Sequence, residues 1–333
     1  MFPRVRLVRF VATTLVFALV NTPAVARRRT PPSTPAPIAT PVPMPSPTSL
    51  SEAVRFERMR AALTAIARDA PGRLGIAVLD LASGERFAIR GDEAFALASV
   101  VKVPIAIVAY RLADQKKVDL NARTMLARAD YRRGPSDIVD AHPTGGGTYA
   151  MWELIRAMIA RSDNTASDVV LRAVGGPPVV DQIVRRLNVK GFTIRRSEAE
   201  LAADLAAKRG FARGGENAGT PNAVAELFAG LATQRFTLVD ATNELLLDLD
   251  LTSTGPSRLR AGLPANFRLA HKTGTSGTID GVADATNDAG IVTLPDGRRV
   301  VVVALLAGSR AEEAAREATL ASVARAVADA YAP

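Results

Sequence analysis

The sequence predicts an α/β (α+β) fold of two lobes, in which an antiparallel sheet with flanking helices is built from both chain ends and an all-helical lobe lies between them. Segments with strand character occur near the start of the folded part and again near its end. The long stretch between them has helical periodicity interrupted by Gly- and Pro-bearing loops. Because strands from both ends share one sheet, the middle forms the second lobe, and a site is expected in the cleft between the lobes.

The N-terminal residues have the three parts of a secretory signal peptide. Three arginines lie within the first nine residues, an apolar run covers residues 10–20, and the small residues Ala24 and Ala26 follow. The run is shorter than the ~20 residues that span a bilayer. We therefore expect cleavage after Ala26, a periplasmic or secreted protein, and no stable membrane insertion. Residues 27–48 are rich in Pro, Thr, Ser and Ala, which predicts an extended linker.

The elements of the folded part follow from periodicity and turn signals. Residue Ser51 is placed to cap a helix that continues to about Ala67. The strand Leu74–Leu81 and the strand Arg86–Ile89 flank a short glycine-bearing turn. The last part of the chain is predicted to contain three strands and a closing amphipathic helix: Arg268–Thr275, Ala289–Leu294, Arg299–Leu306 and Ala311–Tyr331.

The composition argues against several classes of function. Without cysteine, the chain has no disulfide, no thiolate metal site and no catalytic thiol. The two histidines, His142 and His271, are too few for a His-rich dizinc centre, so we expect no metal and no cofactor. The net charge of +9 is scattered among acids rather than gathered in a stripe, which does not favour nucleic acid. No long apolar seam is evident, and we expect a monomer.

Ser99 and Lys102 form an S-x-x-K motif at the start of an apolar segment with a helical pattern. Three residues apart on a helix, the two side chains share a face, so the amine can accept the proton of the serine hydroxyl and activate it as a nucleophile. The motif alone is weak, because the S-x-x-K pattern is expected about once in any chain of this length, and a helix-capping serine followed by an unrelated lysine would also fit.

Two further motifs follow in order along the chain. The S-D-N triplet at 162–164 lies between two helical segments, where an ordinary polar turn would also fit. The K-T-G triplet at 272–274 follows the strand Phe267–His271, where a strand end with a turn glycine would also fit. All three motifs in this order arise by chance on the order of once in a thousand chains, so their combination points to function.

Together the three motifs resemble those of the class A β-lactamases and penicillin-binding proteins. The resemblance covers residues 51–331, including GRLGIAVLDLASGERFAIRGDEAF before the first motif and TNDAGIVTLPDGR after the third. It implies a serine β-lactamase-like fold and a catalytic domain at 49–333. The α/β lobe would comprise 49–97 and 252–333, and the helical lobe 98–251. The implied substrate is a small β-lactam or a peptidoglycan-like molecule.

The resemblance also implies roles for individual residues. Ser99 is the nucleophile, Lys102 its proton partner, and Ser162 the hydroxyl that protonates the departing lactam nitrogen. The backbone N–H groups of Ser99 and Thr275 form the oxyanion hole. Arg258 resembles an arginine of carbapenemase-type members that helps to hold the substrate carboxylate; a solvated surface arginine is the alternative. The substrate-binding set is Asn164, Lys272, Thr273, Gly274, Thr275 and Arg258.

The resemblance also assigns Glu198 a role in the hydrolysis of the acyl-enzyme. It matches the glutamate of the R-x-E-P-x-L-N loop pattern of class A enzymes, where a carboxylate acts as general base on the deacylating water. A solvated loop carboxylate is the alternative. The chain has Ala199 where the pattern has proline and Ala202 where it has asparagine, the amide that helps to hold that water. We therefore expect an acyl-enzyme with slow deacylation unless another group compensates.

The sequence leaves three hypotheses open. The first is a β-lactam hydrolase that acts through a Ser99 acyl-enzyme with Glu198-assisted deacylation. The second is a related serine hydrolase or D,D-peptidase-type enzyme that acts on peptides, esters or cell-wall amides and turns β-lactams over poorly. The third is a non-catalytic peptidoglycan-binding protein of the envelope, disfavoured because a binder has no need for serines and lysines in catalytic order.

Overall fold

The computed structural model describes residues 47–207 and 216–331; the predicted signal peptide and nearly all of the predicted linker lie outside these ranges. The helices are α1 (Pro47–Asp69), α2 (Lys102–Asp114), α3 (Asp137–Ala141), α4 (Met151–Ala160), α5 (Asn164–Ala173), α6 (Pro177–Arg186), α7 (Glu198–Ala206), α8 (Pro221–Ala232), α9 (Val239–Asp250), α10 (Leu259–Gly262) and α11 (Glu313–Tyr331). The strands are β1 (Arg73–Asp80), β2 (Arg86–Ile89), β3 (Phe95–Ala96), β4 (Arg123–Met125), β5 (Thr148–Ala150), β6 (Phe192–Ile194), β7 (Asn217–Gly219), β8 (Arg268–Thr275), β9 (Thr278–Ile279), β10 (Val282–Ala283), β11 (Thr286–Thr293) and β12 (Arg299–Ala307). Two short 3₁₀ helices cover Ala98–Val101 and Arg128–Asp130.

Five strands form the central antiparallel sheet, in the order β2-β1-β12-β11-β8. Strand β1 pairs with β12 along its whole length, so that Arg73 lies opposite Ala307 and Asp80 opposite Val300. Strand β11 pairs with β12 on one side and with β8 on the other. Strands from the two ends of the chain are therefore neighbours in one sheet, and the predicted fold class is confirmed.

The sheet is buried on both faces because each is covered by helices. Along β12, Val300 and Val302 belong to the apolar cluster formed with α1 and α11. Val301 and Val303 alternate with them and belong to the larger cluster formed with α2, α4, α5 and α8. Since successive strand residues point to opposite faces, a continuous run of valines contributes buried side chains to both apolar clusters.

The elements that carry the three motifs meet at one edge of the sheet. Strand β8 is the edge strand and contains the K-T-G triplet. The 3₁₀ helix Ala98–Val101 lies beside it and leads directly into α2, whose residues 102–110 are all buried. The S-D-N triplet immediately follows α4 and opens α5. A buried helix, a helix start and an edge strand thus provide rigid supports for the site.

Several boundaries differ from the sequence predictions. Helix α1 begins at Pro47, so Ser51 lies inside the helix rather than at its cap, and the last two residues of the predicted linker belong to the helix; proline is well suited to a first helical position. Strand β8 has the bounds predicted for the strand Arg268–Thr275, so the K-T-G triplet lies within it and does not follow a strand that ends at His271. The middle of the chain is not entirely helical, because it contains the short strands β4 to β7, of three residues each, which are too short to show a period of two. Among the described helices, none combines the length and apolar character that a membrane span requires.

Candidate active site

The candidate nucleophile, Ser99, lies in a constrained turn at the wall of a cleft. The turn is the 3₁₀ helix before α2, and Ala98 adopts a positive φ of 46°. A positive φ is unfavourable for a residue with a side chain and persists where surrounding contacts enforce it. Ser99 lines a cavity of about 480 Å³ that also exposes Ser162, Asn164 and Glu198. The turn therefore fixes the Ser99 backbone at the cavity.

The Lys102 side chain contacts three other candidate site residues. Its side chain is fully buried, and its Nζ donates to the Ser162 carbonyl oxygen at 2.7 Å and to Asn164 Oδ1 at 2.6 Å. Glu198 Oε1 lies 3.3 Å from the same nitrogen. These short contacts give the buried amine polar partners on three sides. Lys102 lies beside Ser99 in the chain, and its hydrogen bonds tie the S-D-N turn and the α7 glutamate to the Ser99 segment.

The S-D-N turn is held by its central aspartate. Asp163 is the N-cap of α5, accepting from the backbone N–H of Ala166, and it also accepts from the Ser136 hydroxyl and the Ile138 N–H. Ser162 has a positive φ of 58°, which this network supports. The turn thereby directs Ser162 and Asn164 toward the same cavity.

Lys272 approaches Ser162 from the edge strand. Its Nζ donates to Ser162 Oγ at 3.0 Å and to the Thr273 carbonyl oxygen at 3.1 Å, and the side chain is fully buried. Burial, and then the neighbouring positive charge of Lys102, hold the pKa of the Lys272 amine well below its ordinary value. The Ser162 hydroxyl therefore lies between two lysine amines, since Lys102 Nζ is 3.4 Å from Ser162 Oγ.

Gly274 permits the close approach of β8 to the Ser99 turn. A Cβ atom at this position would lie 2.3 Å from the Leu97 carbonyl oxygen and 3.3 Å from the Ser99 nitrogen. Only glycine is compatible with that spacing. On the other side, Asn287 Nδ2 donates to the Ala96 and Leu97 carbonyl oxygens and ties the turn to β11. The arrangement brings together the two segments whose N–H groups are predicted to form the oxyanion hole.

The structure places Arg258 behind β8 rather than in the cleft, and its guanidinium is only 4% exposed. Its Nε donates to Glu317 at 2.9 Å, one Nη donates to the Asn287 carbonyl oxygen, and the other donates to Thr275 Oγ1 at 2.8 Å. It is thus not a solvated surface arginine. Because protein acceptors occupy these donors, any effect on the substrate carboxylate is expected to act through the Thr275 hydroxyl, which lines the cavity.

Glu198 is held at the first turn of α7 by Asp168. The Asp168 carboxylate accepts from the backbone N–H groups of Glu198 at 2.7 Å and Ala199 at 3.1 Å, and Arg132 Nε donates to the same carboxylate. Asp168 is buried, so the charge of Arg132 compensates it. Sequence analysis missed Asp168 because its partners lie some thirty residues away and are mostly backbone groups, for which no motif exists.

If Glu198 is the general base that the resemblance implies, Asp168→Asn should slow deacylation about tenfold and leave acylation close to wild type, because the new amide N–H₂ faces backbone donors and loosens the Glu198 backbone. Intact-mass time courses with benzylpenicillin, a substrate of the class that the resemblance implies, measure both steps. Asp181→Asn is the matched control, since Asp181 also accepts from a backbone N–H, that of Ile194, and from an arginine, Arg185, but lies away from the cavity. Equal slowing of the two steps, or equal effects in both variants, would contradict a role in positioning Glu198.

A buried histidine also supports the edge strand. His271 Nδ1 lies 2.8 Å from Asp288 Oδ1, and the Asp288 Oδ2 accepts from the Leu259 N–H, one residue after Arg258. Both side chains are buried directly behind the K-T-G triplet. No group of three or more metal-binding side chains occurs within the part of the chain that the structure describes. His271 is therefore part of the support of β8.

Comparison with known proteins decides the family. The model of the β-lactamase enzyme family matches residues 58–331. The chain belongs to the β-lactamase enzyme family. It is 31% identical over 254 residues to the extended-spectrum β-lactamase PER-1 of Pseudomonas aeruginosa, covering 76% of this chain and 80% of that protein. It is also 31% identical to a β-lactamase of Streptomyces albus G over 273 residues, or 77% and 78% of the two chains.

Solved structures of β-lactamases agree with this assignment. A β-lactamase from Chitinophaga pinensis has a TM-score of 0.78 at 32% identity, covering 82% of this chain and 99% of that one. A class A β-lactamase from Bacteroides cellulosilyticus has a TM-score of 0.76 at 25% identity, covering 83% and 98%. The protein is a class A serine β-lactamase, an enzyme of β-lactam hydrolysis of the kind associated with antibiotic resistance. The family assignment made from the three motifs is confirmed.

Proposed function

We propose that this β-lactamase hydrolyses β-lactams through an acyl-enzyme on Ser99 that Glu198 helps to deacylate. The observation that carries the proposal is the buried Lys102 amine, which contacts Ser162, Asn164 and Glu198 and lies three residues after Ser99 in the chain. A buried amine at the junction of a serine, an amide and a carboxylate provides a route for protons between the steps of acyl transfer.

Acylation begins when the Ser99 hydroxyl attacks the lactam carbonyl carbon and gives its proton to the neutral amine of Lys102, which becomes an ammonium. The backbone N–H groups of Ser99 and Thr275 stabilise the tetrahedral oxyanion. Ser162 then donates its proton to the lactam nitrogen as the C–N bond breaks, and the Lys102 ammonium gives a proton to the Ser162 oxygen and returns to the neutral amine. The contacts of Ser162 Oγ with Lys272 at 3.0 Å and Lys102 at 3.4 Å support this step.

Deacylation uses a water molecule that Glu198 deprotonates. The water attacks the ester carbonyl, the Ser99 oxygen leaves with the proton that Glu198 took from the water, and the opened product departs. Glu198 lines the cavity, its side chain is 14% exposed, and Asp168 fixes its backbone, which together support a positioned base. Ala202 also lines the cavity but offers no hydrogen-bonding side chain, so we propose that the water is held less firmly than in members that carry asparagine there.

The substrate carboxylate is assigned to the K-T-G edge. Thr273 and Thr275 line the cavity and supply hydroxyl groups, Lys272 lies against Ser162 at the same edge, and Arg258 donates to the Thr275 hydroxyl from behind the strand. Asn164 orients the substrate amide, and Gly274 keeps the strand close to Ser99. We propose that the enzyme is a monomer and is exported to the periplasm or secreted after cleavage behind Ala26, with the catalytic domain at 49–333.

An intact-mass time course with wild-type enzyme tests this function. With benzylpenicillin, we expect a mass increase equal to one penicillin within seconds, followed by return to the free mass as the substrate is consumed. A carbapenem in parallel shows how far adduct lifetime depends on the substrate. An adduct that never decays would favour the D,D-peptidase-type alternative, and the absence of any adduct would contradict acylation altogether.

A further inference from the structure

Among the described residues that line the cavity, one carries an exposed positive charge. The charged residues of this lining are Arg133 and Glu198. Glu198 is paired with Lys102, and Lys102 and Lys272 are themselves fully buried. Arg133 is exposed to solvent. Within the described lining, Arg133 is therefore the cation that a ligand in the cleft can reach.

The backbone of Arg133 is fixed against the substrate-binding amide. Its carbonyl oxygen accepts from Asn164 Nδ2 at 2.8 Å, and the Asn164 N–H donates to the Pro135 carbonyl oxygen at 2.9 Å. Between them, Gly134 has a φ of 93°, and a Cβ atom there would lie 2.5 Å from Asn164 Nδ2. The loop is thus seated on Asn164, and the Arg133 side chain begins from a defined position at the cavity.

Among the described residues, no side chain or backbone group forms a hydrogen bond or ion pair with the Arg133 guanidinium, whereas the adjacent Arg132 is bound to Asp168. An unpaired arginine at a cavity wall retains its donors for a ligand anion.

A second wall of the cavity is apolar. Helix α7 contributes Leu201, Ala202, Leu205 and Ala206 to the lining. Leu205 packs on the segment after β8, since a Cβ atom at Gly277 would lie 3.1 Å from its side chain. The cleft therefore offers a hydrocarbon surface together with a separate exposed cation, a combination that suits a ligand with an apolar ring and an anionic group.

We propose, on the basis of the function proposed above, that Arg133 is a specificity-determining residue that favours β-lactams whose acyl side chain carries a carboxylate. The guanidinium binds that carboxylate at the rim, and the apolar part of the side chain lies on the α7 wall. This carboxylate is distinct from the one on the β-lactam core, which is assigned to the K-T-G edge. Since the ion pair is partly solvated, its effect is a preference of a few-fold and not an absolute requirement.

Two penicillins that differ by one carboxylate test the proposal. Benzylpenicillin and α-carboxybenzylpenicillin share the core and the phenyl ring, so the ratio of their kcat/KM values isolates the extra charge. In Arg133→Gln we expect the ratio of carboxylated to neutral penicillin to fall about threefold to fivefold. Arg133→Lys should retain most of the wild-type ratio, because it keeps the charge. Raising the salt concentration should lower the ratio in wild type but not in Arg133→Gln.

Arg128→Gln is the matched control, because Arg128 is exposed on the same loop but does not line the cavity. In Arg128→Gln, the ratio of kcat/KM for the carboxylated penicillin to that for benzylpenicillin should equal the wild-type ratio. An equal fall in both variants would show a net-charge effect and overturn the proposal, as would an unchanged ratio in Arg133→Gln. Equal losses for both penicillins would assign Arg133 to the core carboxylate instead. Rates of adduct formation give the same ratio where turnover is slow, whereas absence of any adduct would contradict the proposed function itself.

Discussion

Ser99→Ala is expected to abolish covalent adduct formation with every β-lactam and to reduce hydrolysis at least about 10⁴-fold. The hydroxyl is the proposed nucleophile, and alanine offers no atom that can form the ester. The substitution removes one oxygen from a partly exposed residue, so the free energy of unfolding should change by less than about 1 kcal/mol. Intact-mass spectrometry measures the adduct, and thermal unfolding monitors the fold.

Ser136→Ala provides the control for loss of a serine hydroxyl near the site. The Ser136 hydroxyl donates to Asp163 and is buried, but it does not line the cavity. This variant should lose stability and still form the adduct. Adduct formation by Ser99→Ala at the wild-type rate would remove Ser99 from the mechanism, and failure of both variants to fold would point instead to a structural role for the hydroxyl groups.

The parts of the site that sequence could predict are those encoded in short motifs. The S-x-x-K, S-D-N and K-T-G motifs lie at 99–102, 162–164 and 272–274, and the structure brings all three to one cavity. Each motif fixes its own local geometry, a turn before a helix, a helix cap or an edge strand. For this reason a reader of the sequence can name the residues before knowing how the intervening chain folds.

The supporting residues could not be predicted in the same way. Asn287 binds backbone carbonyl groups about 190 residues earlier in the chain, and Asp168 binds backbone N–H groups thirty residues later. Such contacts impose no constraint on neighbouring sequence. Arg258 illustrates the same limit, because its position in the sequence suggested the substrate carboxylate, while the side chain folds behind β8 onto Glu317 and Thr275. The direction of the Arg258 side chain depends on the packing of α11, which carries Glu317, against the sheet.

Glu198→Gln is expected to separate the two chemical steps. Acylation needs Ser99, Lys102 and Ser162 and should remain within about tenfold of wild type, whereas hydrolysis of the ester loses its general base and should slow about 10²–10⁴-fold. Glutamine keeps the size of the side chain and can still accept from Lys102 through its carbonyl oxygen, so the 3.3 Å contact need not be lost. A spectrum recorded seconds after mixing with benzylpenicillin should show an adduct that persists long after the wild-type adduct has decayed. Equal adduct lifetimes in the two proteins would show that Glu198 is not the deacylating base.

Ala202→Asn is the companion test, because it alters how firmly the deacylating water is held and leaves the proposed base unchanged. Residue 202 lies one helical turn beyond Glu198 on α7 and lines the same cavity, so an amide at this position can share a water molecule with the glutamate. If slow deacylation arises from a poorly held water, Ala202→Asn should shorten the adduct lifetime severalfold in the presence of Glu198 and have no effect in the Glu198→Gln background, because a positioned water without a base does not react faster. Equal acceleration in both backgrounds would mean that the asparagine acts independently of Glu198 and that the water is activated by another group.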